Sequence, residues 1–133
     1  MNGTKLVGCL NYLTTTRPDI AYSVSLLSQF MAKPCESHWN TAKKVLRYLK
    51  GTLNFGIMYI DEFDVELACY TNSDWARNLD DRKSTTRYVF NIGSRPISWS
   101  SKKQLIVSLS STEAEYKALC SATCESKWLT RIL

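Results

Sequence analysis

The chain has 133 residues and a mass of 15.2 kDa, which fits one domain or the joined pieces of two, and its 44% hydrophobic content supports a modest core. Seventeen Lys and Arg against twelve Asp and Glu give a net charge of +5, suited to a polyanionic partner. The five cysteines, Cys9, Cys35, Cys69, Cys120 and Cys124, form no CxxC pair and have only His38 to assist them, which argues against a zinc site or a disulfide framework and for small, reduced, mostly buried thiols in an intracellular chain.

Leu6, Leu10 and Leu13 read as the apolar side of a helix that starts before Met1, in a stretch too short for a secretory h-region or a membrane span. Arg17-Pro18-Asp19 is a helix start, because Pro presets φ in the first turn and Asp complements the helix dipole. Ile20, Val24, Leu27 and Met31 then repeat at helical spacing up to Lys33-Pro34. Ser37 is placed to cap a third helix with Trp39, Ala42, Leu46 and Leu49 as its buried stripe and Gly51 as its C-terminal stop.

From Thr52 the period shortens from about 3.6 to 2, with Phe55, Ile57 and Tyr59 alternating before the acidic turn Asp61-Glu62-Phe63-Asp64. Strands are predicted near 65–72, 86–92, 97–101 and 105–109, with Gly93-Ser94-Arg95-Pro96 as a hairpin turn. The last element is a helix from Ser111 to Ile132. At about 100° per residue, Glu115, Ala118, Leu119, Ala122, Ser126 and Leu129 fall within one arc, which predicts packing on a sheet with a carboxylate in the packing face. Trp39 and Trp99 are expected to pack rather than to stack on bases. The fold class is α+β: an N-terminal helical segment, an antiparallel meander and one sheet-packed C-terminal helix, divided near Thr52.

Asn72 and Asp74 at a strand end and Glu115 on a sheet-packed helix are placed as the oxygen ligands of hard divalent cations are, but one intact carboxylate is too few to make such a site, and by themselves they read as surface charges plus one satisfied buried Glu. Five blocks carry a more specific signal: Thr16-Arg17-Pro18-Asp19-Ile20, Val45-Leu46-Arg47-Tyr48-Leu49-Lys50-Gly51-Thr52, Asp80-Asp81-Arg82-Lys83-Ser84-Thr85, Ile97-Ser98-Trp99-Ser100-Ser101-Lys102-Lys103-Gln104 and Leu109-Ser110-Ser111-Thr112-Glu113-Ala114-Glu115-Tyr116. In order and spacing they resemble the C-terminal part of a copia-type LTR retrotransposon Pol polyprotein.

The resemblance implies that residues 1–52 are the helical end of a reverse transcriptase and 53–133 a truncated ribonuclease H-like domain. In the family that domain cleaves the RNA of an RNA–DNA hybrid with Mg²⁺ held by four carboxylates. The first carboxylate lies in a motif of the form YTDADWAG and falls on Asn72. The second falls on Glu115, and the other two would follow Leu133. A neutral amide at position 72 does not supply the anionic oxygen of a metal bridge, so Glu115 is a remnant ligand, Asp74 is a poorly placed substitute, and no cofactor is expected. Arg77 and Arg87 replace residues that are Gly in the family pattern, with backbone strain expected at Arg87.

The expected function is therefore a catalytically inactive retroelement remnant, with Lys43, Lys44, Arg47, Lys50, Arg82, Lys83, Lys102 and Lys103 as phosphate contacts for a hybrid or single-stranded nucleic acid. One alternative is an enzyme completed by another chain. Another is a secreted effector, for which Arg47-Tyr48-Leu49-Lys50 is a near miss to the RxLR motif of oomycete effectors. Without the strand that follows in the family, the sheet is expected to expose an edge through which copies self-associate.

Overall fold

A computed structural model describes residues 3–60, 66–76 and 81–133. The chain divides into two compact units, Met1–Ile57 and Met58–Leu133.

The first unit is helical: α1 (Gly3–Leu13), a 3₁₀ turn (Pro18–Ile20), α2 (Ala21–Gln29) and α3 (Glu36–Gly51). Its core is Leu6, Val7, Leu10, Ile20, Val24, Leu27, Ala42 and Val45, with Leu13, Met31 and Leu49 packed against it. Pro18 opens the turn as expected, and Arg17 locks the entrance of α2 to the end of α3. Its guanidinium pairs with Asp19 at 2.7 Å and donates to the Thr52 carbonyl at 3.1 Å and the Thr52 hydroxyl at 2.7 Å. The Tyr48 hydroxyl donates to the same Asp19 carboxylate at 2.8 Å.

Two expectations for α3 are corrected. The cap is Cys35, whose backbone is extended as an N-cap requires and whose N–H donates to His38 Nδ1 at 3.1 Å; Ser37 lies inside the first turn. The buried line runs through Ala42 and Val45, and Trp39 and Leu46 are about 40% exposed.

The second unit is a meander, β1 (Leu67–Asp74), β2 (Thr85–Ile92) and β3 (Arg95–Lys103), followed by α4 (Ser111–Ile132). Sheet order is β1-β2-β3, antiparallel throughout, with Leu67 opposite Ile92 and Asp74 opposite Thr85. Gly93, at φ 58°, makes the tight turn into β3, and a register shift at Phe90/Asn91 accommodates Pro96 on the outer strand. Arg95 and Pro96 thus belong to β3 rather than to the turn.

Helix α4 is capped by Ser110, whose hydroxyl accepts the Glu113 N–H at 3.1 Å while Glu113 accepts the Leu109 N–H at 2.7 Å. Ala114, Ala118, Ala122 and Leu129 are its buried side chains. Phe90, with no exposed surface, packs against Ala122 and Leu129.

One predicted strand, 105–109, is not formed, and the alternating stretch at 55–59 is not a strand either. Residues 55–60 run without a ladder, and Tyr59 instead donates its hydroxyl to the Pro96 carbonyl at 2.7 Å. Residues 105–109 are a connection in which Leu105 and Leu109 are each 89% exposed; apolar content alone suggested a strand there, but the backbone is folded over toward the cap of α4. The acidic turn 61–64 lies outside the described residues. The cysteines are also corrected: all five are exposed.

Candidate functional site

Strand β1 alternates its side chains between two faces. Asn72 stands opposite Arg87, and Asp74 forms an ion pair with the Arg87 guanidinium, so Asn72, Asp74 and Arg87 share one face. Ser73, Thr86 and Phe90 share the other, which α4 covers. Arg87 sits in regular β2 without the expected backbone strain; among the described residues the left-handed non-glycine ones are Ala76 and Arg82. Arg77 lies outside the described residues.

Glu115 is exposed, at the rim of the α4 packing face rather than in its middle. The buried line is centred on Ala114, Ala118 and Ala122, which turns Glu115 outward past the edge of β1. There its Oε1 accepts the Ser73 N–H at 3.2 Å. That amide points away from β2, because residues of an antiparallel strand alternate their backbone bonds between its two sides. The structure therefore brings Glu115 to the backbone beside Asn72 and gives Asp74 to Arg87.

The donor set does not fit a divalent-cation pair. One position is a neutral amide, one carboxylate is compensated by a guanidinium, and of these three residues Glu115 is left to offer an anionic oxygen. Among the described residues no three His, Cys, Asp or Glu side chains gather into a metal cluster.

What organises this end of the unit is a residue that the sequence reading did not single out. Gln104 Nε2 lies 3.0 Å from Thr86 Oγ1, 3.0 Å from the Ala114 carbonyl and 3.3 Å from Ser73 Oγ, and its Oε1 accepts the Ser108 hydroxyl at 2.8 Å. Its backbone N–H donates to the carbonyl of fully buried Ser84 at 2.8 Å, and Ser84 Oγ in turn accepts the Ala76 N–H at 3.2 Å. Gln104 so joins β1, β2, the end of β3 and the start of α4. The signal available in sequence was its place at the end of a lysine-rich strand, where a neutral amide with two donors and an acceptor stands out.

The chain is 48% identical over 128 residues to the retrovirus-related Pol polyprotein from transposon RE1 of Arabidopsis thaliana and 47% identical over 128 residues to that from transposon RE2 of the same plant. Each match takes in 96% of this chain and 9% of the polyprotein. It is also 46% identical over 125 residues to the secreted RxLR effector protein 161 of Plasmopara viticola, covering 93% of this chain and 88% of that protein. The chain belongs to the Pol polyprotein family of copia-type retrotransposons. No protein-family model matches it, and no solved structure does.

Within this Pol-derived sequence the eight basic residues fall into two groups. Lys43, Lys44, Arg47 and Lys50 are exposed on α3. Lys43, Arg47 and Lys50, with Trp39, line one row about 16 Å long, and the Lys43 ammonium sits 5.6 Å from the centre of the Trp39 ring. In the second unit Arg82 and Lys102 are exposed, Lys83 is half-buried, and Lys103 is bridged to Asp81 at 2.8 Å. Hydrogen bonding to Lys103 holds the Asp81 carboxyl below the usual carboxylate range. Lys117, absent from the expected set, bridges Glu113 at 2.8 Å and donates to Ser108 Oγ at 3.1 Å. Among the described residues no helix is long and apolar enough to cross a membrane.

Trp75 donates its Nε1–H to the Ser108 carbonyl at 3.0 Å while half its surface stays open. Trp39 is more exposed than a packing role requires, and Trp99 is half-buried.

Proposed function

We propose that this Pol-derived chain is a ribonuclease H-like scaffold without hydrolytic activity that retains electrostatic affinity for nucleic acid. One observation carries the reading: an amide, Asn72, stands where metal-assisted hydrolysis needs an anionic oxygen, and the next carboxylate along β1 is committed to Arg87. Losing such charge stabilisation costs several kcal/mol of transition-state binding, on the order of 10³-fold in rate. The α3 row supports the binding half, since three aligned cations offer phosphate contacts and the indole beside them offers a stacking face.

The test has two arms. Incubated with Mg²⁺ and a labelled RNA–DNA hybrid, the purified chain leaves the RNA intact. By fluorescence anisotropy it binds single-stranded DNA with a salt slope of about −2, the value for three neutralised phosphates, and the slope flattens in a Lys43→Glu, Arg47→Glu, Lys50→Glu triple variant. Magnesium-dependent cutting that disappears in Glu115→Gln overturns the first half, and salt-independent binding overturns the second.

The similarity to a secreted effector favours a second reading, in which the same scaffold acts outside the cell that makes it. Against a linear targeting motif at Arg47-Tyr48-Leu49-Lys50 stands its place in the last turns of α3, where Leu49 packs on the core and Tyr48 is bonded to Asp19. Immunodetection of the protein in culture medium, free of cytosolic markers, supports the effector reading, and its confinement to cells rejects it.

A further inference from the structure

The N-terminus of α3 holds a group of side chains that neither the Pol relationship nor the basic rows explain. The Cys35 sulfur lies 3.0 Å from the Ser37 hydroxyl and 3.1 Å from His38 Nδ1. The His38 ring is fixed twice, by accepting the Cys35 N–H and by stacking on Phe30 with ring centres 4.1 Å apart. Beside this cluster a cleft of about 390 Å³ opens within the helical unit, walled by Leu6, Leu27, Phe30, Met31 and Trp39, with Cys35 and His38 in its lining. That volume falls in the range of small-molecule sites, about 300–1,000 Å³, and the walls are apolar.

The other cysteines provide an internal comparison. All five are exposed, but among the described residues only the Cys35 sulfur is held by hydrogen-bonding side chains. Hydrogen bonds from Ser37 and the backbone of His38 lower the Cys35 thiol below its ordinary range, whereas burial raises Cys69. The positive end of the 16-residue helix α3 acts in the same direction on Cys35. A nucleophile and an apolar receptacle thus occur side by side, and each is seen independently of the other.

We infer that Cys35 is a covalent-modification site for apolar α,β-unsaturated carbonyl compounds, which lodge their hydrocarbon part in the cleft and present the alkene to the sulfur. The thiol gives its proton to solvent. The thiolate then forms a C–S bond to the β-carbon, the alkene π pair moves through the α-carbon to the carbonyl oxygen as an enolate, and a proton from water returns to the α-carbon. The net change is addition of S–H across the double bond, with no oxidant or reductant. His38 serves as a positioning residue that fixes the Cys35 backbone and walls the cleft.

The experiment treats the full chain with limiting trans-2-nonenal or with the short congener acrolein, reduces the adducts with borohydride and measures occupancy at each cysteine by peptide mass mapping. Rates are normalised to the same chain unfolded in urea. Cys35 is expected to react with nonenal severalfold faster than Cys9, Cys69, Cys120 or Cys124, because its sulfur is held by Ser37 at the start of α3 and the cleft keeps the alkyl chain beside it. Gly3→Phe fills the cleft mouth from a position where an added side chain meets nothing within 4 Å; it slows nonenal and leaves acrolein unchanged. Ser37→Ala, on the exposed first turn, slows both. Equal reaction at the five cysteines overturns the inference, and so does a Cys35 preference that is the same for both aldehydes and indifferent to Gly3→Phe.

Discussion

Replacing Gln104 by Ala removes the amide that ties β1, β2, the end of β3 and α4 together. An amide nitrogen has two hydrogens, so of its three acceptors only two are served at once, and the two at 3.0 Å, Thr86 Oγ1 and the Ala114 carbonyl, are the better placed. With the Ser108 hydroxyl bond, three good interactions are lost, each worth about 1 kcal/mol net. Thr86 and Ser108 are buried, so their stranded groups add desolvation cost, partly offset where water enters the vacated polar space. The expected loss is about 2–4 kcal/mol. Urea unfolding followed by tryptophan fluorescence measures it, because Trp75 is anchored to the Ser108 carbonyl and reports the same region. A loss below about 0.5 kcal/mol, with the urea slope unchanged, refutes the assignment of Gln104 as the organising residue.

Two further outcomes are expected. Phe90→Ala empties the largest fully buried side chain among the described residues, packed between the sheet and α4, and should lower stability by about 3–5 kcal/mol in the same urea assay. Asp19 has its carboxyl held below the ordinary range, first by its hydrogen bond from Arg17 and then by that from Tyr48. Its contribution is therefore fully present above the unfolded-state value of about 4 and is lost as pH falls through the lower folded-state value. The denaturation midpoint of Asp19→Asn should lie below that of the parent at neutral pH, and the gap should close in the acid range.

Helical spacing found α2 and α3 because their apolar repeats face a single core, and Pro18 and Gly93 marked real boundaries since their backbone preferences are local. Long-range geometry escaped the reading. Trp39 and Leu46 fit the helical period but flank the true stripe, since which of two adjacent stripes is buried depends on what α3 meets, and it is Ala42 and Val45 that join the helical core. The same one-step rotation separated Glu115 from the centre of the α4 packing face. The alternation at Phe55, Ile57 and Tyr59 suggested a strand, but a ladder needs a neighbouring strand, which no local pattern supplies. Asn72 and Glu115 were legible as positions, whereas the pairing of Asp74 with Arg87 depends on a register that appears only once β1 and β2 are paired. Cys35 as a cap was hidden because sulfur is an uncommon helix starter and Ser37 stood nearby as the familiar one.

The bond from the Ser73 amide to Glu115 gives that carboxylate a duty that does not depend on phosphodiester chemistry. It sets a negative charge against the outer margin of β1, so a second molecule trying to lengthen the sheet there has to bury the charge or push it aside. Guarding a strand margin asks nothing of metal chemistry, so the carboxylate has a structural use of its own at this edge.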